Sequence, residues 1–281
     1  MSQREEILAR VTAITALPTS ATQMLALANH PDTQIDDVQR TVEYDPGLVT
    51  NLLRLANSAY FGTGSGINSV REAVVRLGFK RVFQIAMTSA VAPLAQKEIR
   101  GYDLPRNGLL RHSAATALAV EYLPKRLSMR VPDATYSAGL LHDLGKIVLG
   151  TYIEVNSAPI VLKAYRENLS FELAEQQVLG TDHAEVGAAL LDYWKLPRVV
   201  VDSVRWHHDP NRYPHDDKTV VDLVHLGEHI ARICGTSSST DGMNYSVCIE
   251  SLDRLRIVPD VLELVASDVL SSLDEICAIF N

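Results

Sequence analysis

The sequence predicts an all-α protein built from many helices, and three observations carry that reading. Apolar residues recur mostly at helical spacing, short runs of helix formers are separated by good caps, and 47% of the 281 residues are hydrophobic. That content is enough for one large domain or two small ones with a substantial core, so disorder is not expected.

The elements follow in chain order. Residues 1–11 read as a lead helix; Arg4, Glu5 and Glu6 interrupt any apolar stretch of the kind a secretory signal needs. Asp45 before Pro46 reads as an N-cap with proline at the first helical position, opening a helix whose Leu48, Leu52 and Leu55 share a stripe. Ser69 followed by Glu72 is a capping-box pair, and it starts a run through Val74, Leu77, Phe83 and Ile85 that Gly78 offers to divide in two. The glycines of Phe61-Gly62-Thr63-Gly64-Ser65-Gly66 suit a tight connection; a P-loop would need a lysine and Ser/Thr pair that does not follow. A second half begins near Leu104-Pro105. Within it Asp182 and Glu185 cap a helix running to about Trp194, and Pro197 starts another through Val199, Val200 and Val204. Gly235 to Gly242 is a loop, and Leu252 to Phe280 reads as two or three amphipathic helices.

Composition narrows the function classes. A formal net charge of -8 and a pI near 5.6 repel phosphate backbones and anionic lipid, and no run of basic residues offsets them, so neither nucleic acid nor membrane is an expected partner. No segment reaches the roughly 20 apolar residues that span a bilayer. Three cysteines, Cys234, Cys248 and Cys277, form no CxxC pair and argue against a disulfide framework or a zinc ribbon. The cytoplasm is the expected compartment.

The chemistry centres on Gly139-Leu140-Leu141-His142-Asp143-Leu144-Gly145-Lys146, an imidazole and a carboxylate embedded in apolar neighbours. Burying both without partners would cost several kcal/mol. A divalent cation is one remedy, because neutral imidazole and carboxylate both donate lone pairs to it; a hydrogen-bonded core pair is the other. His142 and Lys146, four apart, would share a helix face, and Lys146 would steady an anionic ligand or pair with an acid. His207 and His208 point about 100° apart on a helix, so one of them is expected to face any site. His225 and His229 share a face at i, i+4, but the glutamate is misplaced for HExxH, which favours hydrogen-bonded or exposed roles. Trp194 and Trp206 read as core or interface anchors.

The His142-Asp143 string resembles the signature of the HD superfamily of metal-dependent phosphohydrolases, and its surroundings resemble the HDOD branch. Leu17-Pro18, Tyr44-Asp45-Pro46, the Leu52-to-Phe61 run and Ala73-Val74-Val75-Arg76-Leu77-Gly78 look like that family's N-terminal half. The likeness covers roughly residues 12 to 230, with several separated motifs in the expected order. It implies a helical half over 12–104 packed on an HD-like core over 105–234, with 235–281 as loop and helical extension. It also implies a ligand set of His112, His142, Asp143, His183, His207, His208 and, at the closing position where aspartate is expected, Glu228, with Asp222 as competitor. The metal such a mixed set would take is Fe, Ni, Mn or Zn. Two functions follow from the resemblance. The first is a regulatory signalling module acting through protein contacts. The second is a phosphohydrolase acting on a nucleotide or cyclic dinucleotide, with Lys146 offsetting phosphate charge; against it, the GYP tripeptide of the HD-GYP phosphodiesterases is missing after Trp206-His207-His208-Asp209.

Overall fold

Every regular element among the described residues is helical. The computed structural model describes residues 2–11, 33–58, 66–152, 156–236 and 244–279, with isolated positions 19, 23, 24 and 27. Leu17-Pro18, most of the glycine-rich connection and most of the Gly235-to-Gly242 loop lie outside them. The chain forms two compact units, one of Ala16–Leu94 with Ser272–Asn281, the other of Met1–Thr15 with Ala95–Ser271.

The first unit contains α2 (Ile35–Glu43), α3 (Pro46–Ala56) and most of α4 (Val70–Ala95), which follow α1 (Gln3–Val11) of the other unit. Asp45 caps α3 as its sequence predicts, its Oδ1 accepting the Leu48 N–H at 3.0 Å, and Leu48, Leu52 and Leu55 are buried together on one stripe. At α4 the Ser69 Oγ accepts the Glu72 N–H at 3.1 Å, while the Glu72 carboxylate reaches back to the Asn68 N–H at 2.9 Å, one residue short of the expected reciprocal bond. The run does break at Gly78, whose φ of 79° and ψ of 163° fit a residue without a side chain far better than any other.

The larger unit carries the chemistry. After a 3₁₀ turn at Arg100–Tyr102 come α5 (Gly108–Arg126), α6 (Thr135–Leu141), α7 (Leu144–Ile147) and a π turn at Val148–Tyr152. They are followed by α8 (Ala158–Glu167), α9 (Phe171–Leu179), α10 (His183–Tyr193), α11 (Arg198–Trp206), α12 (Thr219–Ile233), α13 (Ile249–Leu255) and α14 (Pro259–Ile279), the last ending in the first unit. Helix α5 is buried along most of its length and packs on α6 and α12, while α10 packs on α7 and α11. Asp182 caps α10, its Oδ1 accepting the Glu185 N–H at 2.6 Å, and this cap sets His183 as the first helical residue. The lead helix α1 docks here through Arg4, whose guanidinium donates to Glu185 at 2.7 and 3.2 Å.

Candidate metal centre

Five segments of the larger unit deliver the seven predicted ligands to one buried place. His112 comes from the middle of α5, His142 and Asp143 from the turn between α6 and α7, and His183 from the start of α10. His207 and His208 come from the turn after α11, and Glu228 from α12. All are buried but His208, whose side chain is itself 8% exposed. Single ligand atoms of His183, His207 and His208 lie within 4.8 Å of one another, and so do those of His112, His142 and Glu228, and of His142, Asp143 and His207. Asp143 sits among these groups. Its Oδ2 is 3.5 Å from His112 Nε2 and 3.4 Å from His142 Nε2, and its Oδ1 is 3.4 Å from His183 Nε2.

A recurring local device aims the rings. His142 and His207 each follow the last residue of a helix, and each directs its Nδ1 to the carbonyl three residues back, Gly139 O at 2.8 Å and Val204 O at 2.7 Å. Those carbonyls belong to helix ends that need donors. With Nδ1–H so engaged, Nε2 keeps its lone pair and faces the cluster. His112 is held through Nδ1 by the Thr236 hydroxyl at 3.1 Å.

The test of fit is what the inward atoms touch. His112 Nε2, His142 Nε2, Asp143 Oδ1, His207 Nε2, His208 Nδ1 and Glu228 Oε2 are all buried, and none has a hydrogen-bond partner among the described residues. Native interiors leave few such groups. Six of them converging around one point, all nitrogen or oxygen lone-pair donors, match the donor set of a mixed histidine and carboxylate metal site.

Electrostatics agree. Burial pushes His112 and His207 down to about 3 and His208 well below its ordinary value, so these rings are neutral. Burial pushes Asp143 upward, yet His142 and Lys146 outweigh it and hold the carboxyl well below its ordinary value. At Glu228 burial is likewise outweighed, chiefly by Arg232. His183 differs: burial pulls it down, but Glu175 more than reverses this and raises it to about 9. Its Nε2 lies 2.7 Å from His208 Nε2, a hydrogen-bond distance that calls for a proton between the two.

Two expectations change in detail and two take a definite form. Both His207 and His208 reach the cluster, their ring centroids 3.9 Å apart, because they occupy a turn where the 100° helical step does not apply. His142 and Lys146 do not share a continuous helix; the chain breaks at the His142-Asp143 turn, and the buried Lys146 Nζ donates to Asp143 Oδ2 at 2.6 Å. Asp222 faces away from the cluster, with Arg254 donating to it at 2.6 and 2.7 Å and Ser251 at 2.6 Å, so Glu228 is the carboxylate that faces the histidines. His225 is spent on hydrogen bonds, its Nδ1 to His207 O at 2.7 Å and its Nε2 accepting the Cys248 N–H at 2.9 Å. Of the tryptophans, Trp194 is buried, whereas Trp206 lies under the guanidinium groups of Arg205 and Arg212 at 4.9 and 5.7 Å.

Sequence reasoning passed over Glu175, Arg232 and Thr236, which hold His183, Glu228 and His112 in turn. Arg232, four residues after Glu228 on one helix, was open to the i, i+4 rule; the other two carried no local signal. Outside the cluster a cleft of about 420 Å³ opens onto His208, lined also by Glu172, Trp206 and Tyr245.

Helices that gather histidines and carboxylates from separated turns around one buried point define a relative of the HD phosphohydrolases. Residues 14–210 match the model of the HDOD domain, and the chain belongs to that family. An HDOD domain protein of Geobacter sulfurreducens superposes with a TM-score of 0.75 at 25% identity, over 99% of this chain and 98% of its own. A candidate phosphohydrolase of Shewanella amazonensis shares the fold with a TM-score of 0.72 at 24% identity, over 98% of both chains. A protein of Treponema pallidum (strain Nichols) is 29% identical over 260 residues, 90% of this chain, and the chain spans about half the length of that curated relative. Among the described residues no helix is long and apolar enough to cross a membrane.

Proposed function

We propose that this chain is a regulatory HDOD module that binds a divalent cation at the His112, His142, Asp143, His183, His207, His208 and Glu228 cluster and acts through contacts with protein partners in signalling. The observation that carries the cation is the set of six buried, unpartnered ligand atoms. Fe, Ni, Mn and Zn all suit such donors. The regulatory half of the reading draws support from Lys146. The residue that would steady a phosphate is buried with its ammonium on Asp143, and it is absent from the lining of the cleft beside His208.

A second reading, a phosphohydrolase acting on a nucleotide or cyclic dinucleotide, is favoured by that cleft, which gives a ligand a route to His208. A bound cation would supply Lewis acidity and an activated water for such chemistry. Elemental analysis of the purified chain, followed by hydrolysis assays on a generic phosphodiester and cyclic dinucleotides with Mn, Fe, Ni or Mg added, separates the two. Metal bound without turnover supports the regulator. Turnover lost in both His142→Ala and Asp143→Ala would establish the hydrolase, and a protein that takes up no metal would end both.

A further inference from the structure

Three hydrogen-bond donors converge on one buried carboxylate behind the histidine cluster. Glu175 Oε2 accepts from the His183 Nδ1 at 2.5 Å and from the His183 backbone N–H at 3.2 Å, while Oε1 accepts from the Tyr102 hydroxyl. Neither Glu175 nor Tyr102 has exposed surface. The other three anchored rings lean on neutral acceptors: His142 and His207 on backbone carbonyls, His112 on a threonine hydroxyl. His183 alone leans on an anion.

The buried charges around the cluster reinforce the contrast. Asp143 is matched by Lys146 at 2.6 Å and Glu228 by Arg232 at 2.5 Å, so neither of these carboxylates brings uncompensated negative charge. Glu175 meets no lysine or arginine at ion-pair distance among the described residues; its partners are a phenol and an imidazole. A cation arriving at the histidines would therefore find, one imidazole away, a carboxylate that no lysine or arginine meets among the described residues. Carboxylates in this position orient a ligating ring, fix its tautomer and raise its basicity.

We propose that Glu175 is a positioning residue for the metal site, holding the His183 ring with Nε2 toward the cluster and supplying the negative charge that Lys146 and Arg232 cancel elsewhere. The inference rests on the metal reading above. Tyr102 is the lesser partner, occupying the second carboxylate oxygen. Glu175→Gln keeps the shape but offers one acceptor oxygen to three donors and removes the charge.

Zn(II), a diamagnetic probe, tests this on the full chain by calorimetric titration and by proton NMR of the His183 Nδ1–H, assigned with His183→Gln. Glu175→Gln is expected to weaken Zn(II) binding by roughly 10- to 100-fold with its circular dichroism unchanged, and to abolish the far-downfield Nδ1–H resonance of a carboxylate-bonded imidazole. Tyr102→Phe, which leaves the carboxylate on His183, should weaken binding by less than Glu175→Gln does. Wild-type protein that takes up no Zn(II) would overturn the metal reading and this inference with it. Zn(II) binding in Glu175→Gln within twofold of wild type, with the resonance in place, would overturn the positioning role alone. Should Glu175→Gln fail to fold, Glu175→Asp carries the test: it keeps the charge and withdraws the oxygens from His183, so weakened binding with a shifted resonance supports the role and unchanged binding overturns it.

Discussion

Gly145 lies against the backbone of His183 so closely that a β-carbon on it would sit 1.9 Å from the His183 carbonyl oxygen and 2.8 Å from the Gly187 nitrogen. The obstacle is main chain, which no rotamer change relieves. This contact lets α7 dock on the start of α10, and it brings Asp143 to within 3.4 Å of the His183 ring. Gly145→Ala is therefore expected to cost about 3 kcal/mol or more of stability, at or above the usual range for overpacking. Urea denaturation measures the cost, and metal uptake by the folded fraction should fall with it. A variant as stable as wild type would mean that α7 and α10 are not packed this closely.

Glu228 and Asp222 should separate cleanly when each is replaced. Glu228→Ala removes an oxygen that faces the histidines and should abolish or strongly reduce bound metal. Asp222→Ala removes the anchor of Arg254 and Ser251, so it should cost about 2 kcal/mol in unfolding free energy and leave metal content intact. Elemental analysis of the two variants decides the assignment, and the reverse pattern would refute it.

Lys146 and Asp143 form a buried ion pair at 2.6 Å, and removing one member of such a pair typically costs about 3–5 kcal/mol. Lys146→Met should show that loss in chelator-treated protein. Saturating Mn(II) or Zn(II) should recover part of it, because a cation at the cluster can meet the stranded Asp143 charge. Equal destabilisation with and without metal would argue that Asp143 is not a ligand.

The α1 anchor predicts a pH dependence. Burial pushes the Glu185 carboxyl up, but hydrogen bonds from Arg4 and Thr181 outweigh it and leave the group below its ordinary value. A depressed folded value means that the contribution is present above the unfolded value near 4.3 and disappears as pH falls through the folded value. Because Arg4 is largely exposed, Arg4→Ala should cost only about 0.5 kcal/mol at neutral pH. In paired chemical-denaturation curves the wild-type advantage should shrink steadily on acidification below about pH 4. An advantage that grows there instead would contradict the sign.

Much of the fold was legible because it is written locally. The caps at Asp45 and Asp182, the proline before α11 and the divided run at Gly78 each depend on neighbours a few residues away, and each appears where the sequence places it. The order of motifs along the chain likewise points to the HDOD family, whose model matches residues 14–210. The rule that failed was also local: the 100° step excluded one of His207 and His208 only if the helix continued, and it stops at Trp206.

By itself, then, the sequence determined the all-helical class, the caps of α3 and α10 and the break at Gly78, since periodicity and capping act within a turn or two of the chain, while its resemblance to the HDOD family implied the roster of groups able to bind a cation. Tertiary structure alone decided that Glu228 rather than Asp222 faces the histidines, that Lys146 turns to Asp143, and that Glu175 stands behind His183. Those choices depend on which helix faces meet across long stretches of chain, as the close approach of Gly145 to the His183 backbone shows for α7 and α10.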